Sequence, residues 1–195
     1  MSVVESNARA YVGYEATNRF MDVLGRSMLF LDPPGHDRVR RLVARAFTPR
    51  SVEQLRPRVV EIVERQLDMA EPRARAEVLS DLAYPIPVAI ICDLLGVHES
   101  DRHLFPTWAT DIAARFDIEP IRTPEINKRG NEAAGALADY LRGMIRDPTR
   151  RSPEGLVRRL LEVEEEGARL TEDEVISTSA LLLMAGHETT ANLIG

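Results

Sequence analysis

The sequence lacks the features that mark secreted, disulfide-bonded and membrane-spanning proteins. A single cysteine in 195 residues excludes an intramolecular disulfide framework and fits a reducing compartment. No uninterrupted run of about 18 apolar residues occurs, so we expect no membrane partner. The first residues, MSVVESNARAYVGY, lack the apolar core of a signal peptide. We therefore expect a cytoplasmic protein.

The chain also lacks a concentration of basic charge. It carries 25 Lys and Arg against 31 Asp and Glu, for a net charge of -6, and its arginines are interspersed with acids. We therefore expect no nucleic-acid partner. A hydrophobic content of 44% is ordinary for a globular protein and is sufficient for one substantial core. We expect residues 1–195 to form a single domain.

The spacing of apolar residues predicts a mainly α fold with little β structure. The predicted helices cover residues 16–24, 36–47, 52–71, 88–96, 100–117, 120–146, 155–166 and 171–192. Pro57 predicts a kink or a break in the third of them. Residues 76–79 are predicted to be extended, and Gly96 and Gly167 are predicted to end helices.

The most informative stretch is residues 180–192, ALLLMAGHETTAN. Thr171 and Glu174 form a capping box ahead of it, and the acids of the first turn suit the helix dipole. The leucine run is apolar on every side, which predicts a buried central helix. Gly186, followed by an acid and an alcohol, then indicates a helix that is deformed to admit something beside it, since unpaired polar groups are costly inside a protein.

Two simpler interpretations of the same stretch are available. In the first, Glu188 and the threonines are the solvent-exposed end of a half-buried helix. His187 and Glu188 also begin like a zinc-binding HExxH motif, but Ala191 stands where the second histidine would be. We therefore predict no metal ligands in this chain.

The AGHETT segment resembles the central helix of the haem-thiolate monooxygenases, the cytochrome P-450 family. The resemblance implies that Ala185 and Gly186 form a groove for dioxygen where the helix passes over haem (heme). It also implies catalytic roles for Glu188 and Thr189, which would kink the helix, bind water and deliver protons to the bound oxygen. The fold implied is a fragment of the cytochrome P-450 fold with a long buried central helix.

A second informative segment is DPPGHDRVRRLVARAFTPR, residues 32–50. Its apolar residues recur at helical spacing, and Arg38, Arg41 and Arg45 fall on the opposite face. His36 and Arg40 lie one turn apart at the edge of the apolar stripe, where they suit a partly buried anion. A helix-start hydrogen bond for His36 and an ordinary salt bridge for Arg40 are the alternatives.

This segment also resembles the same family, and the resemblance implies that His36 and Arg40 bind the haem propionates. It implies as well that the three arginines face a ferredoxin or flavin reductase as electron donor, although a merely solvated face explains them equally. The family's ExxR helix and its glycine-rich cysteine loop do not follow the central helix here. Cys92 lies in an apolar helix, so we interpret it as a core thiol.

We therefore expect an enzyme that is present as a truncated fragment, inactive alone. The intact protein would use dioxygen to oxidise a small organic substrate, with the haem iron held by a cysteine outside this chain. The alternative is a non-catalytic helical binding or scaffold protein derived from the same fold.

Overall fold

The computed structural model describes residues 18–118 and 121–195, apart from the side chain of Ser51. The α-helices are α1 (Arg19–Leu24), α2 (Gly35–Ala46), α3 (Pro49–Glu53), α4 (Arg56–Ala70), α5 (Pro85–Leu95), α6 (Phe105–Ala113), α7 (Pro124–Arg146), α8 (Leu156–Glu162) and α9 (Glu172–Ile194). Short 3-10 turns flank several of them, and a π-helical segment, Val78–Ala83, precedes α5. The β structure of the described residues is one hairpin of β1 (Glu164–Glu165) and β2 (Ala168–Arg169) and an isolated bridge between Val97 and Arg151, so the mainly α prediction is confirmed.

The helix ends lie where local chemistry places them. The Thr171 side chain accepts a hydrogen bond from the Glu174 backbone N–H, and the Glu174 side chain accepts one from the Thr171 backbone N–H, which confirms the capping box. The Thr123 side chain caps α7 by accepting a hydrogen bond from the Ile126 backbone N–H, without a reciprocal bond. Gly96 ends α5 with φ of 85°, a left-handed conformation that glycine adopts without strain.

The break predicted at Pro57 is confirmed, since α3 ends at Glu53 and α4 begins at Arg56 with Pro57 in its first turn. Two other local predictions need correction. The segment after residue 76 is π-helical from Val78, not extended to residue 79. Residues 164–169 form the hairpin instead of the end of a helix, with Glu166 and Gly167 in its turn at φ of 52° and 79°.

The helices enclose one cluster of buried apolar side chains. Its largest fully buried members are Phe20, Leu24, Leu42, Leu95, Phe105, Ile112, Leu137, Leu141, Met144, Leu156 and Leu160. They come from α1, α2 and α5–α8, and α9 adds Val175, Ile176, Ala180 and Leu183. The central helix therefore packs against elements from both ends of the described chain.

The burial of α9 differs from the prediction. Residues 174–180 are buried all round, although they include Ser177, Thr178 and Ser179. Beyond Ala180 only one stripe is buried, comprising Leu183, His187 and Ala191, while Leu181 and Leu182 are partly exposed. The segment with Ser177, Thr178 and Ser179 is therefore more buried than the leucine run and the motif that follow it.

The segment Val78–Leu95 is, by length and composition alone, apolar enough to cross a membrane, and 39% of it is buried. It is not one regular helix, since the π-helical segment meets α5 at Tyr84 and Pro85. Val88, Cys92 and Leu95 of α5 belong to the core. The absence of a membrane partner stays a prediction.

Candidate functional site

The first turn of α9 is a junction of ion pairs. Glu172 pairs with Arg142 and Arg146 of α7, and Asp173 pairs with Arg26, which follows α1. Glu174 pairs with Arg38 of α2. The acids that suit the helix dipole therefore also connect α9 to three other parts of the chain.

The three arginines of α2 share a face, as predicted, but that face is not simply solvated. Arg41 and Arg45 both pair with Glu165 of the hairpin, at 3.3 Å and 2.7 Å. Arg38 donates to Glu174 and to the backbone carbonyl of Arg169. The hairpin and α9 thus supply ion-pair partners for this face, although Arg41 and Arg45 stay largely exposed.

His36 and Arg40 lie one turn apart near the N-terminus of α2. The His36 side chain is 27% exposed, and its Nδ1 lies 3.0 Å from Asp37 Oδ1. Arg40 is exposed, and its side chain makes no hydrogen bond or ion pair with any residue of the described ranges. The Arg40 guanidinium is therefore available to an anion.

The motif residues of α9 lie within its last three turns. Ala185 and Thr189, four residues apart, share one face that is exposed in this chain. The Thr189 hydroxyl donates to the Ala185 carbonyl at 2.5 Å. The Glu188 side chain is exposed and has no partner among the residues that the structure describes. The helix remains α-helical throughout, so the predicted deformation is not seen.

Gly186 marks a close approach between helices. A Cβ added at this position would lie 2.6 Å from Ile91 Cδ1 and 3.1 Å from Ile91 Cγ1 of α5. The missing side chain therefore lets α5 and α9 pack tightly at the start of the motif.

His187 is the buried member of the motif, 2% exposed, and its ring centroid lies 6.1 Å from that of Tyr84. Burial lowers the pKa of His187, while the neighbouring Glu188 raises it. Its Nδ1 has no hydrogen-bond partner within the described part of the chain. The imidazole is therefore buried beside Tyr84, at the junction of the π-helical segment and α5.

These helices place AGHETT at the exposed end of a central helix, and α2 carries a histidine and an arginine one turn apart. The family model described as Cytochrome P450 matches residues 6–194. The chain belongs to the cytochrome P450 family. Two curated relatives are Cytochrome P450 107B1 of Saccharopolyspora erythraea, 39% identical over 90% of this chain, and the monooxygenase PikC of Streptomyces venezuelae, 42% identical over 88%.

Solved P450 structures share the fold. A crystal structure of P450BioI in complex with an acyl carrier protein ligated to hexadec-9Z-enoic acid matches with a TM-score of 0.82 and 34% identity, covering 94% of this chain and 47% of that one. The ligand-free P450 TbtJ1 matches with a TM-score of 0.81 over 98% of this chain and 50% of that one. The chain spans 41% of the first curated relative and 40% of PikC.

The residues of this P450 chain fit a haem in their chemistry. Haem carries two carboxylates, and His36 and Arg40 supply donors for them, with the guanidinium of Arg40 unengaged by the described residues. The face of Ala185 and Thr189 is open and presents a hydroxyl. Cys92 does not fit as a ligand to the iron, because it is fully buried in the core and burial raises the pKa of its thiol to about 12. The structure does not join the α2 pair to the α9 motif by any described hydrogen bond or ion pair.

Sequence reasoning missed the roles of Glu165 and Glu174 as partners of the α2 arginines. Helical periodicity shows which residues share a face, but it does not show what a distant segment places against that face. The one signal available was charge, since an acidic run at residues 162–166 follows an arginine-rich helix in the same chain.

Proposed function

We propose that this chain is the haem-anchoring and oxygen-binding part of a P450 monooxygenase. The whole enzyme transfers one oxygen atom from dioxygen to a small organic substrate, with electrons from a ferredoxin or flavin reductase. It acts in the cytoplasm, and the cysteine that holds the iron lies outside these residues. The observation that carries the proposal is the open face of α9, where Ala185 and Thr189 lie side by side next to an unpaired Glu188.

The bound haem supplies activation of dioxygen at an iron whose reactivity depends on a thiolate ligand. The chain's own residues would bind the haem and orient it. Arg40 and His36 hold the carboxylates through charge-assisted hydrogen bonds. Gly186 sets the depth at which α9 lies against α5.

Proton delivery falls to the exposed acid and the alcohol of α9. The Thr189 hydroxyl donates to the Ala185 carbonyl, so its oxygen lone pairs remain open to accept a hydrogen bond from a water molecule and hold it in place. The Glu188 carboxylate, one residue away and without a hydrogen-bond or ion-pair partner among the described residues, can take a proton from solvent and pass it to that water.

The electron donor reaches the chain through the arginines of α2. Arg41 and Arg45 keep 61% and 58% of their side-chain surfaces exposed although both pair with Glu165. An exposed ion pair contributes little stability, so an acidic partner can compete for these arginines at small cost.

The test uses the protein extended to the length of its relatives and loaded with haem. Reduced protein under carbon monoxide is expected to show the absorption band of a thiolate-ligated haem. In Thr189→Ala the rate of oxygen consumption is expected to stay the same, while the enzyme forms more peroxide and less oxidised product. Thr190→Ala is the matched control, because it removes an identical hydroxyl group from the next residue, which is half-buried. A folded protein without the band contradicts the function, and unchanged coupling in Thr189→Ala contradicts the proton role.

A further inference from the structure

Glu174 uses its two carboxylate oxygens for two different purposes. Oε2 accepts the Thr171 backbone N–H at 2.9 Å and completes the capping box of α9. Oε1 accepts from Nη2 of Arg38, on α2. A capping box needs only the first of these bonds, so the second is an additional connection between α2 and α9.

Arg38 lies between the two residues proposed to hold the haem carboxylates, His36 and Arg40. Its Nη1 also donates to the Arg169 carbonyl at 3.2 Å, so one guanidinium joins α2 to both β2 and α9. The opposite face of α2 is fixed by the burial of Val39, Leu42, Val43 and Ala46. A helix held on both faces cannot rotate or slide without breaking one of these contacts.

The pair differs from the other ion pairs of the same turn in its burial. The Glu174 side chain is 10% exposed, against 56% for Asp173 in its pair with Arg26. A partly buried, charge-assisted hydrogen bond holds its geometry better than an exposed ion pair, which water and salt weaken. Asp173 therefore offers a control with the same charge in the same turn.

We infer that Arg38 and Glu174 are positioning residues, which set α2 against α9 so that His36 and Arg40 face the same haem as the α9 motif. Glu174 lies about 18 Å along the helix axis from Gly186, at 1.5 Å per residue. Over that length, a small change of angle at the first turn becomes a displacement of several ångströms at the motif. The inference rests on the proposed function, since it assumes that both helices bind one haem.

The first test measures the placement of the two helices in the chain itself. Spin labels at Ala44→Cys and Ala185→Cys, both exposed positions, report the α2–α9 distance by pulsed electron paramagnetic resonance in a Cys92→Ala background. Glu174→Gln keeps an acceptor for the capping box but removes the charge. We expect Glu174→Gln and Arg38→Ala to shift and broaden the distance distribution. Asp173→Asn should leave the distribution unchanged. Arg38→Lys, which keeps the positive charge, should resemble the wild type more closely than Arg38→Ala does. A Glu174→Gln distribution that coincides with that of Asp173→Asn overturns the inference.

The second test adds hemin to the unlabelled chain and follows its absorption. Glu174→Gln and Arg40→Ala are each expected to weaken hemin binding by about tenfold, the loss of one charge-assisted hydrogen bond. If Arg40→Ala weakens binding and Glu174→Gln does not, the positioning role is wrong while the proposed function stands. If Arg40→Ala leaves hemin binding unchanged, the haem site on α2 is wrong, and the positioning role is wrong with it.

Discussion

Gly186 offers a sharp test of why the motif contains a glycine. The family resemblance assigns it to a groove beside haem, whereas the structure places its missing side chain against Ile91 of α5. Gly186→Ala gains about 1 kcal/mol of helix propensity but pushes Ile91 off its rotamer, which costs about 0.5–1.5 kcal/mol. The free energy of unfolding of Gly186→Ala should therefore stay near that of the wild type.

Gly186→Val should behave differently, because its branched side chain enters an α5–α9 contact that is already full. Overpacking of this kind costs about 1–3 kcal/mol, and the smaller propensity gain of valine offsets only part of it. We expect Gly186→Val to lower the free energy of unfolding by about 1–2 kcal/mol in urea, followed by circular dichroism. Ala185→Val at the exposed neighbouring position should cost only the propensity difference, about 0.6 kcal/mol.

The decisive measurement is a double-mutant cycle with Ile91→Val, which removes Cδ1, the atom nearest to the added Cβ. Ile91→Val alone should destabilise the chain by about 0.5–1.5 kcal/mol, and by clearly less when Gly186→Ala is also present. Effects that add to within about 0.5 kcal/mol would refute the contact, because uncoupled sites behave in that way. The glycine would then serve only the cofactor.

Three further predictions concern the stability and reactivity of the chain. Thr171→Ala should lower the free energy of unfolding by about 1 kcal/mol in urea, while Thr171→Ser, which keeps the cap, should not. Cys92 should react with a thiol reagent only as fast as the chain unfolds, since it is fully buried and its thiol pKa is raised to about 12; rapid labelling of folded protein would contradict this. Stability should fall as the pH drops below the ordinary histidine value of 6.5, because burial lowers the pKa of His187 and the unfolded chain then binds the proton more readily; His187→Phe should flatten that part of the profile.

Helix ends that are specified by capping residues could be predicted from the sequence. The end of α5 follows from Gly96, and the start of α9 follows from Thr171 and Glu174, because each of these residues acts on backbone groups within a few residues. The positions of Ala185, Glu188 and Thr189 on one helix follow in the same manner. Whether they bind haem is not tested by the fold, and their roles stay predictions.

The hairpin could not be predicted because its turn lacks the usual signal. Glu166 and Gly167 both adopt left-handed backbone conformations, as two-residue hairpin turns require, but asparagine or aspartate normally precedes the glycine. The acidic run at residues 164–166 instead continues the helical pattern of α8, and Gly167 is also typical of a helix end. Local sequence therefore favoured a helix where the structure has a hairpin. Without the hairpin, the pairing of Arg41 and Arg45 with Glu165 could not be predicted.

The two halves of α9 show why hydrophobicity alone misplaced its buried part. Ser177 and Ser179 donate to the carbonyls of Val23 and Val175, so two of the three buried hydroxyls of this segment have acceptors inside the core, and that of Thr178 has none in the described part of the chain. Leu181 and Leu182 pack against the core but are only partly buried, and they lie one turn before Ala185, next to its open face. An apolar surface beside an unpaired carboxylate and a hydroxyl suits a flat, largely apolar cofactor whose oxygen chemistry consumes protons. The exposure of this half of α9 is thus what the proposed function requires of a haem-binding surface.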